Sequence, residues 1–233
     1  MIWPGPVVEA EFLRRYKRFL ADFRLTDGTI VTAHCANTGS MKTCFEEGAP
    51  AWLTYHDDPR RKLAYSWQAI RMPDGWVGIN TALANALVDE ALQKDLIAEC
   101  RGYLQRMREK PYDKGSRVDF LLRGKGLPDC YIEVKNVTLL LSPGVAGFPD
   151  AVTQRGTRHL EALTAMAAQG HRAVLLYCVQ RMSVNRVQPA EAFDPQYART
   201  LKAAVAQGLE VLAYRADLSQ QGLTLAEAIP VAV

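Results

Sequence analysis

The sequence predicts an α+β chain of two units: a small closed β-barrel over residues 1–80 and a larger α/β unit over residues 81–233. Three observations predict this. Up to residue 79 the apolar residues come in short β-branched and aromatic runs separated by Gly, Pro and Asp. From Thr81 the period changes to that of a helix, with Leu83, Leu87, Leu92, Leu96, Ile97 and Leu104 along residues 81–104. Residues 173–179, Ala-Val-Leu-Leu-Tyr-Cys-Val, then form an unbroken apolar run, as expected of a strand covered on both faces.

In the first unit, runs at 19–25 and 30–35 flank Thr26-Asp27-Gly28-Thr29, a hairpin signal. Runs at 51–55, 63–70 and 76–79 follow. About five strands at this spacing fit a five-stranded OB-type barrel. In the second unit, residues 118–122 and 130–135 read as two strands joined by a turn at Gly124-Lys125-Gly126, with one more strand expected near Tyr112. Helices are expected at 150–169, closed by Gly170, and at 195–207, closed by Gly208. A final strand is expected at 209–214.

With 48% hydrophobic and 23% charged residues, the chain has enough apolar material for a core and too much for disorder. No apolar run is long enough to span a bilayer, and the first six residues carry no signal-peptide pattern. Cys35, Cys44, Cys100, Cys130 and Cys178 are odd in number and lack a C-x-x-C spacing, which argues for reduced thiols in a cytoplasmic protein rather than disulfides or zinc. The net charge of +3 is mild, but it is uneven. Residues 11–24 hold five basic against two acidic side chains, and residues 101–125 hold eight against three. Such segments fit a nucleic-acid partner and plain solvated faces equally well. The sequence leaves a homodimer open.

The chemistry concentrates on Asp119, Glu133 and Lys135. Glu133 and Lys135 are two apart on one strand and so share a face. Folding the hairpin at 124–126 brings Asp119 opposite Glu133, at the roughly 4.5–5.5 Å of cross-strand neighbours. Two carboxylates that close repel, and a divalent cation, Mg2+ or Mn2+, resolves the repulsion. Lys135 beside it can hold a water or stabilise a phosphorane. This is the logic of PD-(D/E)xK nuclease-like domains. Asp129, in Pro128-Asp129, is a decoy: four residues along a strand put it about 13 Å from Glu133. Glu90 on the first helix is expected as a third metal ligand, and Arg155 and His159 as a phosphate-facing pair four apart on a helix. In the barrel, Arg14, Arg15, Lys17, Arg18, Lys42, Arg61 and Lys62 are expected to track phosphates, with Trp67 stacking on bases.

The chain resembles the sugar fermentation stimulation protein A (SfsA) family. The resemblance rests on Arg15-Tyr16-Lys17-Arg18-Phe19-Leu20-Ala21-Asp22, His34-Cys35-Ala36-Asn37-Thr38-Gly39-Ser40-Met41, Val118-Asp119-Phe120, Asp129-Cys130-Tyr131-Ile132-Glu133-Val134-Lys135-Asn136-Val137-Thr138-Leu139 and Phe148-Pro149-Asp150-Ala151-Val152-Thr153-Gln154-Arg155-Gly156. It departs at Ala36, where the family tends to have proline, and at Asn136, where it often has serine. The resemblance implies an amino-terminal OB barrel, a carboxy-terminal nuclease-like domain with Asp119, Glu133 and Lys135 as its functional set, and a bacterial DNA-binding protein linked to sugar metabolism. Two functions stay open: a metal-dependent nuclease, and a non-catalytic DNA-binding transcriptional regulator of sugar (maltose) metabolism that keeps the fold as scaffold.

Overall fold

The structure, a computed structural model, describes residues 1–113 and 116–233; Lys114, counted in the second basic segment, lies outside the described residues. The barrel is built from β1 (Val7–Tyr16), β2 (Leu20–Leu25), β3 (Ile30–His34), β4 (Pro50–Tyr55) and β5 (Tyr65–Met72). β1 pairs with both β2 and β4, and a short parallel pairing of β3 with β5 closes the cylinder. The five-strand expectation is met, but with a different membership. β1 was not foreseen, because the charges in its Arg14-Arg15-Tyr16 end mask the alternation of Ala10 and Phe12. The run at 76–79 is instead β6 (Gly75–Gly78), which adds to β5 outside the closed barrel. Phe12, Phe23, Leu53, Trp67 and Ile70 fill the interior.

The second unit opens with α1 (Ala84–Gln93), preceded by a turn of 3-10 helix capped by Asn80, whose side chain accepts from Ala82 N. The helix expected over 81–104 stops far short of its end. Asp95 is forced to φ +53°, and Leu104 is left 83% exposed. β7 (Gln105–Asp113), β8 (Ser116–Arg123) and β9 (Cys130–Val137) follow, then β10 (Leu139–Ser142), β11 (Val145–Phe148), α2 (Gln154–Ala168), β12 (Arg172–Val179), β13 (Arg186–Pro189), α3 (Pro195–Ala206), β14 (Glu210–Ser219) and β15 (Gly222–Ala228). The main sheet runs β15-β14-β12-β9-β8-β7, with β9, β12 and β14 parallel; β10, β11 and β13 form a small second sheet. Along β12, Val174, Leu176 and Cys178 pack on the α1 side, while Ala173, Leu175, Tyr177 and Val179 pack beneath α2 and α3. Both faces are covered, which is why the run lacks alternation. No described helix is long and apolar enough to cross a membrane.

Polar pins join the two units. Arg181, 1% exposed, forms a fork on Asp74 (2.7 and 2.5 Å) and donates to the carbonyls of Thr43 and Thr138. Asp150 Oδ2 accepts from Ser40 N (2.7 Å) and Ser40 Oγ (3.1 Å), tying the loop after β3 to the segment before α2. Burial pushes the Asp74 carboxyl up, but hydrogen bonds from Arg181 and Ser183 outweigh it and hold the group below its usual range. A lowered folded-state pKa stabilises the protein above the ordinary carboxylate range, and that stability is lost as pH falls through the folded value. Asp74→Asn should therefore cost roughly 3 kcal/mol at neutral pH, since it strands a buried guanidinium. Thermal unfolding should fall by about 6–12 °C for a chain of this size, and the acid-side loss of stability should shrink. An unchanged Tm would mean that the carbonyls alone satisfy Arg181.

Candidate metal and phosphodiester site

Asp119 and Glu133 meet where β8 and β9 part. Their ladder pairs Leu122 with Cys130, Leu121 with Tyr131 and Phe120 with Ile132; one step further would set Asp119 opposite Glu133. The backbone N of Val134 instead donates to Asp119 Oδ2 at 2.7 Å. A carboxylate thus replaces a strand partner, and its other oxygen, Oδ1, accepts from Asn85 Nδ2 on α1 at 2.8 Å. Burial and the charge of Glu133 both push the Asp119 carboxyl upward.

Glu133 is almost fully buried. Lys135 Nζ donates to its Oε1 at 2.6 Å, and His159 Nδ1 makes a short contact to the same oxygen. Burial pushes the Glu133 carboxyl up, but the hydrogen bond from His159 and the charge of Lys135 outweigh it and hold the group below its ordinary range. Oε2 is buried and has no hydrogen-bond partner among the described residues. A buried carboxylate oxygen left open costs free energy unless something occupies it.

α2 supplies the rest of the cluster. Thr153 caps it, accepting from Gly156 N at 3.0 Å, and Asp194 accepts from Thr153 N at 2.8 Å. The helix begins at Gln154, later than expected, because the Thr153 side chain caps it there. One turn in, Arg155 Nε donates to His159 Nε2 at 3.3 Å. With Nε2 accepting, the ring proton belongs on Nδ1 and goes to Glu133. Lys135 Nζ lies 3.0 Å from that same nitrogen, so the ammonium keeps two of its three N–H groups for other acceptors.

The sequence placed other residues less well. Glu90 is not brought to Asp119 or Glu133: it pairs with the amino group of Met1 (2.5 Å) and with Lys94. α1 reaches the site through the amide of Asn85, one turn earlier, a residue whose only sequence signal is its place on the helix. Trp67 is fully buried, packed on Phe12 and Phe23 with ring centroids 5.1 and 5.2 Å away, and cannot stack on a base. His159 is buried rather than phosphate-facing. Arg15 spends its guanidinium on the carbonyls of Arg18, Asn37 and Gly39. Lys17 and Arg18 sit exposed at the β1–β2 turn in left-handed conformation, φ +49° and +63°. Arg14 is exposed but paired with Asp22. Lys42 lies over the Phe193 ring, Arg61 donates to Ser66, and Lys62 is exposed. Asp129 pairs with Arg123 at 2.9 Å, as befits a turn residue.

Comparison with known proteins agrees with this architecture. Residues 13–79 match the family described as the SfsA N-terminal OB domain, and residues 82–222 match the sugar fermentation stimulation protein RE domain. Sugar fermentation stimulation protein homologs are 48% identical in Geobacter sulfurreducens, over 99% of this chain and 98% of the relative, and 49% identical in Shewanella baltica, over the whole of both. The solved structure of Pyrococcus furiosus SfsA in complex with Ca2+ superposes with a TM-score of 0.87 at 26% identity, covering 100% of this chain and 98% of that one. The chain belongs to the sugar fermentation stimulation protein family.

Proposed function

We propose that the protein binds nucleic acid along its barrel and hydrolyses phosphodiesters at the Asp119–Glu133–Lys135 cluster with a divalent cation, Mg2+ or Mn2+. The open, buried Oε2 of Glu133 beside the half-buried carboxylate of Asp119 carries this reading. Among the described residues no group of three or more His, Cys, Asp or Glu side chains gathers to hold a metal. Two carboxylates with the rest of the shell left to water, backbone oxygen and phosphate is the arrangement that suits magnesium. The Ca2+ complex of the Pyrococcus furiosus relative supports a hard-cation preference.

Asp119 and Glu133 would hold the cation, which when bound would polarise a phosphate oxygen and acidify a bound water. The chain's own residues do the rest. His159, oriented by Arg155, fixes the rotamer of Glu133 through Oε1 and so leaves Oε2 open. Lys135 has N–H groups free for an attacking water or a phosphate oxygen. Asn85 and Val134 N hold the Asp119 carboxylate in place.

The non-catalytic regulator is the second reading, and one observation favours it: Lys135 already neutralises Glu133 as an ion pair. Incubating the protein with single- and double-stranded DNA and RNA, with Mg2+, Mn2+ or EDTA, separates the two. Binding itself is tested at the exposed hairpin tip. Lys17→Ala with Arg18→Ala should lower the slope of log affinity against log salt by roughly 0.7–0.9 per lost phosphate contact. An unchanged slope would move the footprint to the basic 101–125 segment.

A further inference from the structure

A cavity of about 230 Å3 lies at the junction of the units, lined by Asn37, Thr81, Asn136, Thr138, Phe148 and Asp150 among others. It sits at the carboxyl end of β9, one of the parallel strands, where open α/β sheets place their ligands. Two of its lining residues are close to the site along the chain. Asn136 follows Lys135 in β9, and Thr81 lies one turn before Asn85, whose amide holds Asp119. The volume is below the roughly 300–1,000 Å3 of pockets for drug-sized ligands, so it suits a single small ring.

The polar groups lining it are half used. Asn37 Oδ1 accepts from Gly39 N (2.9 Å), but its Nδ2 has no partner among the described residues, although the residue is only 4% exposed. Asn136 Oδ1 accepts from Gln180, and its Nδ2 is likewise open. Asp150 spends Oδ2 on Ser40 and leaves Oδ1 open, and the Thr138 hydroxyl has no partner among the described residues. None of these four atoms is sealed away from solvent, so each is free to meet a ligand that enters the cavity. Two amide donors and one carboxylate acceptor complement a ring edge with two acceptors and one donor. The pairing edge of a pyrimidine has that composition, ordered acceptor–donor–acceptor in thymine and uracil and donor–acceptor–acceptor in cytosine, so a fixed set of groups takes one of the two kinds; the edges of adenine and guanine do not have it.

We propose that this cavity takes one unpaired pyrimidine base of the bound strand, seating it beside the scissile cluster. The proposal rests on the nucleic-acid reading above. Base insertion of this kind costs least in single strands. The test is fluorescence anisotropy in EDTA with a fifteen-residue deoxyadenosine strand whose central position is A, G, T, C or abasic. Central T or C should bind about tenfold tighter than A, G or the abasic site. Two variants should bring that ratio to about one. Thr138→Met fills the cavity, and Asn37→Asp keeps the bond to Gly39 N while turning the open donor into an acceptor. Thermal unfolding of each confirms that it is folded. Equal affinity for all five strands, with salt-dependent binding intact, would overturn the pocket and leave the nucleic-acid reading standing. Binding to none would overturn both. A preference that survives in both folded variants would place base selection elsewhere.

Discussion

Lys135→Ala should reduce the rate of metal-dependent cleavage by about 10²–10³, the usual cost of removing one group that stabilises developing charge. Nucleic-acid affinity should stay within about twofold of the parent, because one lysine is a small part of a phosphate-dominated footprint. The residue's position sets both expectations. Lys135 is largely shielded by the sheet and α2, and among the described residues its ion pair is with Glu133. It therefore adds little to a diffuse basic surface and much to a local one. Lys135→Arg should not rescue: a planar, forked guanidinium cannot reproduce the point-like ammonium that lies 2.6 Å from Glu133 Oε1 and 3.0 Å from His159 Nδ1. Gel-based cleavage under single-turnover conditions measures the rate, and anisotropy in EDTA measures binding. If the parent cleaves nothing with any metal and Lys135→Ala only weakens binding, the regulator reading stands. If the variant unfolds, Lys135 is a structural counter-ion to Glu133.

The second large effect concerns metal and stability together, and its two halves have opposite signs. Burial and Glu133 raise the Asp119 pKa in the folded, metal-free protein. A raised carboxyl pKa means that ionisation opposes folding. The penalty sets in as pH rises through the unfolded value, is complete above the folded one, and is relieved on acidification. Asp119→Asn removes that penalty. In EDTA at neutral pH the variant should unfold at or above the temperature of the parent. Its amide oxygen can still accept from Val134 N, and a flipped Asn85 amide can face its NH2 group. With metal the order reverses. Cation at a hundred times its Kd should stabilise the parent by about 2.7 kcal/mol, a Tm rise of about 5–10 °C. The variant should show no rise. Calorimetric titration with Mg2+, Mn2+ and Ca2+ should show affinity falling at least a hundredfold. Equal metal affinity in variant and parent would remove Asp119 from the site.

What could be read from the residues was what depends on local pattern. The β12 run, the turn at 124–126 and the pairing of Asp119 with the strand of Glu133 and Lys135 all follow from periodicity and chain geometry over a few residues. What could not be read depended on tertiary placement. Glu90 and Asn85 are both polar residues on α1, and only the packing angle of the helix decides which faces β9. Trp67 sits among polar neighbours in sequence, yet β5 turns it inward. β15 is short of apolar residues because one side of it faces solvent; Met1 bonds to its Leu223 and Trp3 to Ser219 at the end of β14, contacts more than two hundred residues apart in the chain. His159 read as half of a phosphate-facing pair with Arg155; the depth of α2 against the sheet makes it the orienting partner of Glu133.

The bond between Asp150 and Ser40 makes the two halves poor candidates for dissection. A barrel produced by itself would keep its five-stranded closure and its hairpin tip, since those contacts are internal. The loop bearing Asn37 would lose the carboxylate that anchors it from 110 residues away. Asp74 would lose the guanidinium that Arg181 buries against it. If the barrel carries the nucleic-acid face proposed above, such a fragment would keep its basic hairpin tip but present a differently shaped loop, so its preferences among strands would describe the fragment and not the protein.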